Sequence, residues 1–160
     1  MHARLATTAV FTTAVLAAAL LTLPAAAGPF PAACAGSYVI AEDGGTTSLW
    51  TFVADGTFFG TTSTQPLFNF SNQQGSWSRD GNDGGHGVLI AFVWNGDDTL
   101  ATVARTDIAF APTGVGCDEI AGSLVVRTFE DGEDVLDPST DADDPIAEDT
   151  WTGRRIVAGG

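Results

Sequence analysis

His86 is the only histidine between Gly28 and Gly160, so a histidine-rich metal centre or a histidine pair has no material in that span. As a lone imidazole it is a candidate general base, but no acidic partner stands close to it in sequence. Gly85 and Gly87 flank it at the head of an apolar run, which favours a plain strand-start residue. A Ser-His-Asp triad would need a nucleophile on a sharp turn, and no Gly-x-Ser-x-Gly elbow occurs. Arg105 and Asp107 share one face of the run Thr99 to Ala111, and Arg127 lies in the next run. Facing inward, the three would form a polar centre able to hold a carboxylate or polarise a carbonyl. Facing outward, they would be cross-strand ion pairs of little worth. The opposite face carries Leu100, Thr102, Ala104, Thr106, Ile108 and Phe110, the larger apolar set, so the outward placement is expected. Asp137, Asp141, Asp143 and Glu148, with Ser139, fall at the ligand positions of an EF-hand-length loop, the oxygen-rich pattern that calcium prefers. Ala142 stands where the sharp turn needs glycine, and no helices flank the loop. A solvated charge-rich loop is therefore expected, with weak calcium binding as the alternative and no other cofactor.

A second kind of chemistry is apolar binding. Most of the aromatic residues must be core. Trp50, Phe52, Phe68, Phe70, Trp77, Phe92 and Trp94 are the candidates for the lining of a ligand cavity. Phe68 and Phe70 sit in a segment, Gln65 to Gln73, that is too apolar for a plain loop and too rich in Asn for a strand. They are read as a flap over a cavity mouth.

The elements that must position these residues are strands. His86 to Trp94, Thr99 to Ala111 and Glu119 to Glu130 are long apolar or alternating runs separated by Asn95-Gly96 and Pro112-Thr113-Gly114. Alternation with period two marks half-buried strands. Asn-Gly is the signal of a two-residue type I′ hairpin. Before this meander, Gly36 to Glu42, Thr46 to Ala54, Thr57 to Thr64 and Gly75 to Ser78 read as strands, and Thr150 to Val157 closes the series. Eight strands in sequence order joined by short turns predict an all-β, eight-stranded antiparallel up-and-down barrel, with a two-sheet β-sandwich as the alternative.

Residues 1–27 read as a signal peptide: Arg4, an uncharged apolar stretch, then Pro24-Ala25-Ala26-Ala27 as a small-residue cleavage site. Residues 28–35 form a Pro- and Ala-rich lead, residues 36–157 a single barrel domain, and residues 131–149 an acidic loop within it. The expected product is secreted, with no membrane attachment after cleavage. Beyond the leader there are five arginines, no lysine and all 20 acidic residues, a formal charge of −15. Such a surface repels nucleic acid and anionic membranes. Cys34 and Cys117 are expected to form one disulfide, as befits an exported chain.

Gly36-Ser37-Tyr38 opens the first strand, Phe52 to Phe58 followed by Gly75-Ser76-Trp77 makes a strand-turn-strand pattern, and Arg154-Arg155 lies in the last strand. On these residues the span Gly36 to Val157 resembles the lipocalin-like, or calycin, barrels of bacterial secreted type. Tyr38 stands where lipocalins have Trp, and Arg154 or Arg155 where a late-strand arginine packs over that aromatic. The barrel is also similar in architecture to allene-oxide-cyclase-like proteins. The resemblance implies a secreted protein that binds a small, mostly apolar molecule inside the barrel. Two other functions compete with it. One is an envelope or matrix interaction protein with a filled barrel and an acidic surface. The other, ranked third, is a cyclase- or isomerase-like enzyme, which needs His86, Arg105 and Asp107 to converge inside.

Overall fold

A computed structural model describes residues 34–80 and 84–157. It shows eight strands: β1 (Gly36–Glu42), β2 (Thr47–Phe52), β3 (Thr57–Thr62), β4 (Gln73–Asp80), β5 (Gly84–Trp94), β6 (Leu100–Pro112), β7 (Glu119–Phe129) and β8 (Ala147–Arg155). Each strand pairs antiparallel with its neighbours in sequence, and β1 also pairs with β8, Ile40 opposite Gly153. The sheet is thus a closed up-and-down barrel, and the two-layer sandwich is excluded. Closure leaves no open edge to be protected. The expected leader, 1–27, and most of the lead lie outside the described residues.

Period-two alternation decides which side chains face inward. On β6 the inward set is the one read from sequence, Thr106, Ile108 and Phe110 among them, and on β7 it includes Ile120 and Leu124. The interior is filled at one end and open at the other. Tyr38, Phe52, Phe58, Trp77 and Phe110 fill the end where β1, β3, β5 and β7 begin. Phe52 stacks on Phe58 with centroids 4.4 Å apart and meets Trp77 edge-on at 5.8 Å. Trp77 Nε1 donates to the Val53 carbonyl at 2.8 Å, so its one polar atom is satisfied. Glycines face these rings from the other strands. A Cβ at Gly85 would lie 2.7 Å from Phe110, one at Gly87 3.0 Å from Phe58, and one at Gly122 2.9 Å from Trp151. Large and small inward residues interlock here, and a methyl group at any of the three glycines would force a shift.

The same end is pinned from outside. Cys34 and Cys117 are paired at disulfide distance, with Cα atoms 5.1 Å apart. Tyr38 Oη lies 3.0 Å from the Cys34 carbonyl and 2.9 Å from the Cys117 carbonyl, so its single proton serves one at a time. Arg155 Nη2 donates to the same phenol at 2.9 Å, and its guanidinium sits 5.4 Å from the ring centroid. Of the two late arginines it is therefore Arg155 that packs over the first-strand aromatic, while Arg154 points outward and is exposed. Burial pushes the Tyr38 phenol above its usual pKa, against the lowering pull of Arg155.

Three details differ from the sequence expectation. The Asn95-Gly96 turn is not a two-residue type I′ hairpin. Asn95 N donates to Thr99 O at 2.8 Å, and Asp98, not Gly96, takes the left-handed conformation at φ 63°. The β1–β2 and β2–β3 hairpins repeat this pattern, with Gly45 at φ 90° and Gly56 at φ 93° in the equivalent place. The flap segment contains a four-residue helix, α1 (Gln65–Phe68), ended by Asn69 at φ 50°. Finally, β8 begins at Ala147, so Glu148 and Asp149 belong to a strand and not to the acidic loop.

The rest of that loop is docked, not free. It folds across the outer face of β6 and β7, where Arg105 and Arg127 hold it. Arg105 Nε and Nη2 bond Asp107 at 2.7–3.0 Å, and Nη1 donates to the Val135 carbonyl at 2.8 Å. Arg127 lies 3.4 Å from Asp141 and 3.9 Å from Asp107. Arg105, Asp107 and Arg127 thus face outward, but beneath the loop instead of in open water.

Candidate functional site

The open end of the barrel holds a cavity of about 580 Å³. Its walls are Ala91 and Val93 of β5, Ala104 and Thr106 of β6, and Leu124, Val126 and Thr128 of β7. Trp50 lines it from below; it packs edge-on against Trp151 at 4.8 Å and against Phe58 at 5.6 Å. The cavity exists because inward residues shrink along the strands. On β2 the series runs Phe52, Trp50, Ser48, on β3 Phe58, Gly60, Thr62, and on β6 Phe110, Ile108, Thr106, Ala104. Small side chains in one half of a cylinder leave room that their own strands cannot fill.

Phe68 and Phe70 line the mouth, with Ile146 among the residues across from them. Thr64 carbonyl contacts hold α1, and Thr61 Oγ1 donates to Gln65 Oε1 at its start. Past α1, Phe70 bridges Val93, and Ser71 N donates to Phe92 O at 2.9 Å, so the segment extends the wall beside β5. Phe68 remains 65% exposed, an apolar ring held over an opening.

Two carboxylates mark the rim where β1 meets β8. Glu42 and Asp149 both occupy inward positions, and Glu148 lines the edge. Glu42 Oε1 accepts from Ser48 Oγ at 2.8 Å. Burial pushes the Glu42 carboxyl above the usual carboxylate range; the Ser48 bond opposes this, and the charge of Asp149 adds to it. Asp149 Oδ2 accepts from Gly44 N at 2.8 Å, tying the β1–β2 turn to β8. Among the described residues that line the cavity, none is basic.

Of the aromatics singled out from sequence, Trp50, Phe68 and Phe70 line this cavity. Phe52 and Trp77 belong to the filled end. Phe92 and Trp94 stand on the outer wall, 49% and 36% exposed, with ring centroids 6.0 Å apart. Their run is apolar on both faces, so alternation could not orient it. The polar candidates do not converge. His86 is on the outer face, its Nε2 2.9 Å from Asp80 Oδ2 in an exposed pair. That partner, six residues upstream, comes from the β4–β5 hairpin, which brings Ser78 opposite His86. The acidic residues expected of a calcium loop also separate. Asp137 caps Ser139 at 3.0 Å, Asp141 faces Arg127, Asp143 N bonds Asp141 Oδ1, and Glu148 lies at the cavity rim. Among the described residues no group of three acidic, histidine or cysteine side chains is placed to hold a metal ion.

No family model, curated protein or solved structure matches this chain. The case for a function therefore rests on the cavity itself.

Proposed function

We propose that this chain is an exported binding protein of lipocalin-like architecture that holds a small, mostly apolar molecule in the open half of its barrel. The observation that carries the reading is the one-ended cavity of about 580 Å³, within the range of small-molecule sites and walled by Ala, Val, Leu and Trp. Arg155 over Tyr38 and the aromatic flap Phe68–Phe70 support the lipocalin-like part of it. The disulfide-distance pair Cys34–Cys117 agrees with an oxidising compartment. Among the described residues no helix is long and apolar enough to cross a membrane. The interaction-protein reading needs a filled interior, which the cavity does not provide. An enzyme in the mouth needs His86, Arg105 and Asp107 inside, and all three lie on the outer face of the barrel, Arg105 and Asp107 beneath the acidic loop.

The test is titration with the neutral dye N-phenyl-1-naphthylamine. Saturable one-to-one fluorescence enhancement is expected, and it should vanish in Ala104→Trp and, independently, in Thr128→Trp. Both variants place a large ring in the cavity wall, and melting curves check that they fold. The reading fails if the parent protein gives no saturable signal, or if the folded variants bind as well as the parent.

A further inference from the structure

We infer that the molecule held in the cavity carries a protonated amine, and that this group sits at the rim between Glu42 and Asp149. The inference rests on the binding role proposed above and names the chemistry of the ligand. Three carboxylates, Glu42, Asp149 and Glu148, line the cavity, and no basic side chain does so among the described residues. Among the described residues none of the three is in an ion pair. Three arginines are used elsewhere, Arg105 and Arg127 beneath the acidic loop and Arg155 on Tyr38. Glu42 is held inward by Ser48, a side chain only 2% exposed, so the carboxylate cannot swing freely into water. Asp149 is fixed beside it by the Gly44 amide. Two anchored carboxylates facing an apolar chamber attract a cation, and an ammonium hydrogen-bonded between them offsets one unit of their charge. The rings of Phe68 and Phe70 lie at the same mouth.

Trp50 closes the floor of the cavity with its ring. The ligand class is thus a compact amphipathic amine, apolar through its middle, and the excess of acidic residues over the whole chain draws such a cation toward the protein.

The experiment is displacement of N-phenyl-1-naphthylamine by three probes of equal length: n-decylamine, n-decanol and n-decanoate. The parent protein is expected to bind decylamine about tenfold more tightly than decanol, the worth of one charge-assisted hydrogen bond, and decanoate most weakly. In Glu42→Gln, and separately in Asp149→Asn, the amine preference over decanol, measured within each variant, should fall toward unity. Equal affinity for amine and alcohol in the parent, or a preference unchanged in both folded variants, overturns the inference while leaving the cavity reading intact. Absence of dye binding overturns the cavity reading itself. Use of both variants protects the test if one of them does not fold, since each carboxylate also makes a structural hydrogen bond.

Discussion

The filled end of the barrel should depend on the Cys34–Cys117 bridge, and the double substitution Cys34→Ala/Cys117→Ala measures how much. The bridge spans a sequence separation of 83 residues. Cross-linking so long a loop removes about 4.5 kcal/mol of chain entropy from the unfolded state in the loop-closure account. That figure is a ceiling, because strain and residual structure in the unfolded chain lower it, and a loss of about 3–4 kcal/mol is expected. For a domain of this size the corresponding fall in Tm is roughly 10–15 °C. Tyr38 should soften the loss, since its phenol still reaches the backbone carbonyls at positions 34 and 117. Urea unfolding followed by tryptophan fluorescence gives the stability change, because Trp50, Trp77 and Trp151 are all buried. Dye binding at low temperature gives the second readout. The cavity lies at the other end of the barrel, so affinity at a temperature where the variant is folded should match the parent. A loss below about 1 kcal/mol would show that the bridge does not constrain the unfolded chain as argued. Abolished dye binding in a folded variant would refute the separation of the two ends.

Other substitutions test other parts of the same architecture. Arg105→Ala should cost about 2 kcal/mol, because it removes a mostly buried guanidinium bonded to Asp107 and Val135, although Arg127 stays near Asp107. It should also speed proteolytic cleavage between residues 130 and 146, read by peptide mapping. Asp98→Gly should stabilise the protein by roughly 0.5 kcal/mol, since Asp98 alone holds the left-handed position that Gly45 and Gly56 fill in the other two hairpins, and urea midpoints would register the gain. Glu42→Gln should be at least as stable as the parent at neutral pH and lose that advantage in acid. The folded state holds the Glu42 proton more tightly than the unfolded chain does. Its contribution therefore falls as pH rises from the unfolded value near 4.5 through the raised folded one. Thermal melts from pH 3 to 8 would show the crossover.

Strand order and facing were legible because alternation is a local signal, and on β6 and β7 each two-sided run states its own inward set. Turn type was less legible. Asn95-Gly96 is a strong local pattern, yet Asn95 N bonds Thr99 O and moves the left-handed residue to Asp98. The bulge between Val93 and Trp94 accompanies that longer loop. The aromatic run of β5 misled for a different reason. Val88, Ile90, Phe92 and Trp94 are apolar although they face outward, so parity along the run carries no contrast.

The rim carboxylates were missed for a reason that also says how to find such sites. Glu42 reads as the last residue of the first strand, next to the Asp43-Gly44-Gly45 turn, with no facing assigned, while Asp149 trails an acidic loop and reads as part of it. Counting by twos from the buried aromatics places both. Tyr38 and Ile40 point inward, so Glu42 does too; Trp151 points inward, so Asp149 does. A charge at the inward parity of a strand end has no place in a filled barrel, since burying it without a counter-ion is costly. It is tolerable only where the barrel is open, and the small residues Ser48, Ala91 and Ala104 say independently that this end is open. Inward charge at one end and inward glycine opposite aromatic rings at the other are two sides of one arrangement. The glycines let the large rings close one half of the cylinder, and the rings stabilise the barrel well enough for the other half to stay empty.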